Sequence, residues 1–380
     1  MVYYTAILIV GSLCMILSGI SNIGVIKNIF AFILVLALAL LSGTRYQLGG
    51  YDYRNYENMF QLAPTLNNFN VTDYIKAHGL IGSDNGWTLI NSVTKSLGFN
   101  FYGLTVIVAF FFWFSLYFVL KGYVQNINIF VVIAVYKYLL DVSFIYMRQS
   151  VAVALFAISL NFILKRKILP YMLIILFAAT IHFSAIILFP IYWINKIKIT
   201  KTRLEWYTVI FSMSFILVIL HIDISSLFSV FSHFISGSGS QKVSEAAAGN
   251  LYGETNIISS VLHLVEFLIV DIFLMKKFNI VDLNDDKQTL MIKLFMLLLP
   301  IYSIFAGSPI MVRYSFYFIF TYVVIIDLLI SKINLTKKIF VFVLLSLISF
   351  AGMYKFVINF DDGADYQYDS FIFHDISIRN

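Results

Sequence analysis

The chain has 380 residues, of which 60% are hydrophobic, 17% aromatic and only 12% charged, with a mean hydropathy of +0.88. A water-facing surface needs more charge than that, so a soluble domain is excluded; the expectation is an all-α, polytopic integral membrane bundle of about 10–12 transmembrane helices. The net charge of +6 implies no nucleic-acid partner, and Cys14, the single cysteine, rules out an intramolecular disulfide and a thiolate metal site.

Apolar runs predict spans near 2–20, 26–43, 99–120, 127–143, 148–164, 206–221, 257–275, 289–306, 313–331 and 338–358. The first run lacks a basic flank and a small-residue cleavage motif, so it is expected to be a retained span. The run 168–194 is bracketed by Lys165, Arg166 and Lys167 on one side and by Lys196, Lys198, Lys201 and Arg203 on the other. Its roughly 27 residues are too few for two spans of ~20, which predicts two short helices or a re-entrant hairpin with its tip near Thr180–Phe183. Lysines fall on alternating connections, and the positive-inside rule makes that side cytoplasmic. The segment 44–98, the loop 222–256 and the acidic tail 361–380 are then extracytoplasmic. Within the loop, Ile224, Leu227, Phe228, Phe231, Phe234 and Ile235 predict an amphipathic helix over 223–235, followed by a Gly/Ser-rich stretch, 237–250, that is either a connector or a lid.

Arginine departs from the lysine pattern. Arg45 closes the second span, Arg148 opens the span that continues Gln149-Ser150, and Arg313 opens the one containing Tyr314, all on the predicted outer side. A guanidinium costs about 2.5–3.5 kcal/mol at a membrane helix centre and less near the interface, so three on one face need a cause. One cause is snorkelling to headgroups; the other is a bound anion, since arginine's planar fork grips phosphate with two hydrogen bonds where lysine is a point charge. Helix N-termini at Arg148 and Arg313 add positive dipole. The loop after Arg45 places Tyr46, Gly49, Gly50 and Asp52 together, with Asp52 either an acid/base group or a counter-ion for Arg45 or Arg148. His182 is either a structural histidine or a proton acceptor at the hairpin tip. No Asp-x-Asp or His-x-x-Glu-His pattern points to a metal, and no cofactor is expected.

In order along the chain, Arg45-Tyr46 with Gly49, Asp52-Tyr53, Tyr56 and Phe60, then Asn85-Gly86-Trp87-Thr88-Leu89-Ile90, Arg148-Gln149, His182-Phe183-Ser184-Ala185 and Arg313-Tyr314 resemble the EpsG/Wzy-type polysaccharide polymerases of bacterial inner membranes. The chain departs from that pattern at Asn85, where the family usually carries a carboxylate; Asp84 is one residue earlier. The resemblance implies a GT-C-class glycosyltransferase, inverting and metal-independent, that faces the periplasm or outer surface and joins oligosaccharide repeat units carried on undecaprenyl pyrophosphate. Donor and acceptor would both be lipid-linked oligosaccharides, with membrane lipids and a chain-length regulator as further partners. In this reading Arg148 and Arg313 act on the leaving pyrophosphate, Arg45, Tyr46, Gln149 and Tyr314 bind substrate, and His182 or Asp52 is the base. A flippase for the same lipid-linked saccharide, or a ligase passing finished polymer to another acceptor, would need similar arginines; the charges cluster on one side and no inverted repeat is visible, which favours an enzyme over a transporter.

Overall fold

A computed structural model describes residues 1–20, 24–70, 85–213, 216, 220, 257–305, 309–359 and 366–379. Every extended element among them is helical. Two compact units are present, one comprising the described residues of Met1–Tyr74, Asp84–Ile158 and Ile333–Asn380, the other those of Ser159–Lys332.

In the first unit, α1 (Val2–Ile20), α2 (Gly24–Gly43), α3 (Gly50–Leu62), α4 (Asn85–Ser96) and α5 (Phe101–Leu120) are followed by α6 (Asn128–Ala134), which runs straight into a π-helical stretch, Val135–Ser143. Then come α7 (Met147–Leu164), whose last residues enter the second unit, and α14 (Leu335–Ile358). Among the described residues, five stretches are long and apolar enough to cross a membrane: Val2–Ile20, Phe101–Leu120, Met147–Leu164, Asp286–Ile304 and Leu335–Ile358; shorter apolar helices include Asn28–Gly43, Ile168–Ile181 and Ile319–Ser331.

The α2–α5 pair is fixed by polar groups in an apolar core, where hydrogen bonds have no water to compete with. Thr105 Oγ1 donates to the Gly43 carbonyl at 2.7 Å, and the Trp113 indole N–H is shared between Ser42 Oγ at 2.9 Å and Ser143 Oγ at 3.1 Å. The second contact also ties the π-helical stretch to α5. That stretch ends with a Phe144 N–H to Leu139 carbonyl bond, one residue wider than an α-turn, and carries the chain to the start of α7.

The segment 44–98 contains α3 and α4, which the hydropathy pattern does not anticipate. α3 starts at Gly49, whose φ of +127° suits glycine alone, and an added Cβ there would stand 2.6 Å from the Phe144 carbonyl oxygen. Its buried residues Tyr53, Tyr56 and Phe60 form one helical stripe. The tail is not a loose acidic end: over residues 366–379 it forms a strap. Tyr46 N–H donates to the Asp369 carbonyl at 2.9 Å, Phe371 N–H to the Thr44 carbonyl at 3.0 Å, and Asn100 N–H to the Ile378 carbonyl at 3.0 Å. Isolated bridges pair Arg45 with Ser370 and Phe99 with Arg379.

In the second unit, α8 (Ile168–Ile181) and a 3₁₀ helix, Phe183–Lys196, pack on each other and meet at His182, whose extended backbone (φ −142°, ψ 112°) makes the turn. The two expected short helices with a tip at Thr180–Phe183 are present. They are joined by α9 (Lys201–Met213), α10 (Ile257–Lys276), α11 (Asp286–Phe295), α12 (Leu298–Ile304) and α13 (Ile319–Ser331). The predicted span 289–306 is thus divided between α11 and α12, and the predicted span 313–331 opens with a 3₁₀ turn, Arg313–Tyr317, before α13. The amphipathic helix expected over 223–235 and the stretch 237–250 lie outside the described residues.

Candidate functional site

Arg45 is 1% exposed, and its guanidinium is turned inward. Nε donates to the Leu48 carbonyl at 3.0 Å, one terminal nitrogen to the Ser42 carbonyl and the other to the Phe144 carbonyl at 3.0 Å. Its charge lies between the rings of Tyr53 and Phe144, at 5.4 and 5.5 Å. Burial pulls its pKa down to about 10, opposed by the surrounding phenols, so it is still charged at neutral pH. Arg45 closes the 42–48 loop onto the end of the π-helical stretch; its hydrogen bonds go to backbone. The neighbouring Tyr46 is half-buried, with its ring 6.0 Å from Tyr102 and 4.3 Å from His374 of the strap.

Arg148 has different surroundings. It is the second residue of α7, half-buried, with its guanidinium 5.6 Å from the centre of the Tyr56 ring and hydrogen-bonded to that phenol. Burial pushes the Tyr56 hydroxyl up, opposed by the Arg148 charge, so the phenol is a neutral hydrogen-bonding group at physiological pH. Asp52, half-buried in the first turn of α3, lies one helical turn before Tyr56 and acts on it electrostatically. Tyr56 in turn packs on Trp87 of α4 at 5.5 Å. One helix therefore addresses both arginines, Tyr53 facing Arg45 and Tyr56 facing Arg148. Gln149, adjacent to Arg148, is fully buried.

In the second unit, the Ser184 backbone N–H donates to His182 Nδ1 at 3.3 Å, and Ser184 Oγ lies 2.7 Å from the same nitrogen and 2.8 Å from the Tyr317 hydroxyl. Because a backbone N–H can only donate, Nδ1 is an acceptor, and the neutral imidazole carries its proton on Nε2. The result is a three-member hydroxyl–hydroxyl–imidazole chain. Tyr317 closes the same 3₁₀ turn that Arg313 opens, with Tyr314 between them; Arg313 and Tyr314 are half-buried.

Sequence reasoning singled out Arg148, Asp52 and His182 but gave no role to Tyr56, Trp87, Ser184 or Tyr317. Tyr56, Trp87 and Ser184 stand within the quoted motifs, and Tyr53, Tyr56 and Phe60 have helical spacing that a hydropathy window does not register. Nothing local marks Tyr317 as the partner of Ser184, 133 residues away. No group of three or more His, Cys, Asp or Glu side chains converges among the described residues.

No curated protein and no solved structure shows a significant match to the chain. The family model for EpsG matches residues 28–371, nearly the whole length, which includes Arg45, Asp52, Tyr56, Arg148, His182, Ser184, Arg313 and Tyr317. The chain therefore belongs to the EpsG family, whose members are Wzy-type polysaccharide polymerases.

Proposed function

We propose that the protein polymerises oligosaccharide repeat units carried on undecaprenyl pyrophosphate, at the extracytoplasmic face of the cytoplasmic membrane, with inversion at the anomeric carbon. The observation that carries this beyond family membership is Arg148: a half-buried guanidinium at the start of an apolar helix, steadied by the Tyr56 phenol. Such a group is placed to hold a pyrophosphate, and the positive end of the α7 dipole adds to it.

In the reaction, a hydroxyl of the newly arrived unit attacks the anomeric carbon of the growing chain. The new glycosidic C–O bond forms as the bond to pyrophosphate breaks, and the lipid pyrophosphate leaves with the electron pair. Arg148 neutralises the charge that develops on that oxygen, a role a metal ion fills in other transferases. Arg313 is assigned the same kind of charge stabilisation, and Tyr314 and Gln149 are each assigned to substrate binding. The attacking hydroxyl loses its proton to His182 at Nδ1, relayed through Ser184 Oγ, which lies 2.7 Å from that nitrogen and 2.8 Å from the Tyr317 hydroxyl. Asp52 keeps Arg148 and Tyr56 in register. Arg45, with its guanidinium committed to three carbonyls, shapes the loop that carries Tyr46, and Tyr46 is the substrate-facing member of that pair.

The test is purified full-length protein in lipid nanodiscs, supplied only with lipid-linked repeat units. The expected product is a ladder of lipid-linked polymers without any partner, a chain-length regulator altering only the ladder's distribution. Translocation of the lipid-linked unit without new glycosidic bonds would replace this proposal with a flippase; new bonds formed only when a separate acceptor is added would replace it with a ligase.

A further inference from the structure

α4 buries polar groups that no atom among the described residues answers. Trp87 and Asn91, one turn apart on the same face, are both 0% exposed. The Trp87 indole N–H has no hydrogen-bond partner, and neither the amide nitrogen nor the oxygen of Asn91 has one; Ser92 Oγ, also fully buried, has none. Leaving a buried donor or acceptor unmet is costly, and native proteins keep such groups rare, so three such residues within six positions call for a cause. Elsewhere in the same unit the amide nitrogens of buried asparagines are answered, Asn128 Nδ2 donating to Ser18 Oγ at 2.9 Å and Asn126 Nδ2 to the Met15 carbonyl at 2.9 Å. Packing alone does not explain α4, since leucine would fill the Asn91 position without the polar penalty.

We infer that Trp87 and Asn91 form a subsite for the uncharged first sugar of the lipid-linked saccharide, binding its hydroxyl or acetamido groups. This rests on the assignment of Arg148 to the pyrophosphate. The chemistry matches in three respects. The unmet groups are an N–H donor, an amide donor and an amide acceptor, a neutral set that complements hydroxyls and acetamido groups, which also both donate and accept. An aromatic face with a few placed polar groups is the usual make-up of a small-molecule site. The placement also fits: the sugar next to a pyrophosphate is joined to it directly, and here a single ring, Tyr56, separates the two groups, with Arg148 5.6 Å from it and Trp87 5.5 Å from it. On substrate binding the α3–α4 contact opens enough for the sugar to meet Asn91, replacing unmet groups with met ones, so binding and ordering of this helix pair are coupled.

The experiment uses full-length protein in nanodiscs and two probes, native lipid-linked repeat units extracted from producing cells and undecaprenyl pyrophosphate without sugar. Asn91→Leu is expected to melt at the same temperature as wild type or higher, to bind the sugar-bearing probe at least 10-fold more weakly and to bind the bare pyrophosphate lipid unchanged. Trp87→Phe, which keeps the ring on Tyr56 and removes the N–H, is expected to show the same selective loss, several-fold. Arg148→Lys is expected to weaken both probes; if it weakens neither, the pyrophosphate assignment fails while the sugar-selective loss at Asn91 still stands or falls by itself. A lower melting temperature for Asn91→Leu, equal loss for the two probes, or no loss for either would each overturn the subsite.

Discussion

Arg45 and Arg148 share a sequence signature, an arginine at the border of an apolar run inside an outer-facing motif, yet their surroundings differ in kind. Arg45 is 1% exposed and gives its donors to the carbonyls of Ser42, Leu48 and Phe144, between two aromatic rings. Arg148 is half-buried and faces the Tyr56 phenol, next to Asp52 and Trp87. A buried guanidinium is tolerated when its donors are answered, and Arg45, 1% exposed with three of its five N–H groups given to backbone, has little left for a ligand. The lesson is that charge position along the chain identifies arginines that need a cause, while the identity of their acceptors decides whether the cause is the fold or a substrate.

Substitutions test that contrast directly. The largest effect is expected for Arg45→Leu, which orphans three buried carbonyls at about 1–3 kcal/mol each. Membrane abundance and melting temperature should fall sharply, with activity per folded molecule spared; normal abundance with lost activity would move Arg45 into the substrate site. Next is Gly49→Ala. A left-handed φ and a Cβ 2.6 Å from the Phe144 carbonyl should cost about 1–3 kcal/mol and loosen α3 under both arginines at once, read as faster hydrogen exchange across 50–62.

A smaller change is expected from Ser184→Ala, which cuts the link between His182 and Tyr317. Losing one hydrogen bond of about 1 kcal/mol should slow polymerisation roughly 5- to 10-fold and shift the pH profile, whereas a structural role would lower stability and leave the profile in place. The smallest effect belongs to the strap. Asp369 accepts from His374 at 2.7 Å, and this hydrogen bond holds its carboxyl below the usual range. A depressed carboxylate stabilises the fold above its unfolded pKa of about 4 and loses that contribution as pH falls below it. The pair is exposed, so His374→Ala should cost no more than about 1 kcal/mol at neutral pH and less than that at pH 3.

Much of the architecture is legible in the sequence because bilayer crossing imposes a length and an apolar composition that hydropathy reads directly. Val2–Ile20, Met147–Leu164 and Leu335–Ile358 begin and end within a few residues of their predicted runs, and the hairpin tip falls on His182 as its lysine brackets imply. Less visible were features set by long-range or backbone contacts. The strap pairs Ser370 with Thr44 across 326 residues, and no local pattern in an acidic tail encodes that partner. The acceptors of Arg45 are carbonyls, which every residue type carries. α3 was hidden for another reason: its polar residues mask the Tyr53, Tyr56, Phe60 stripe from any hydropathy window. Of the site, Arg148, Asp52 and His182 were recognisable by residue type and motif, whereas Trp87 and Asn91 look, in sequence, like ordinary members of an amphipathic helix.

Arg148 as a phosphate ligand and Arg148 as a helix anchor predict different rates for one substitution. The direct measurement is the initial rate of polymer formation per folded molecule for Arg148→Lys, with Arg54→Lys, an exposed arginine on α3, as the control. The charge is kept and the bidentate fork is lost, so the rate is expected to fall about 10²- to 10³-fold at unchanged abundance, with Arg54→Lys within twofold of wild type. A rate for Arg148→Lys within a few-fold of wild type at equal abundance would contradict the account and return Arg148 to the role of an interfacial anchor.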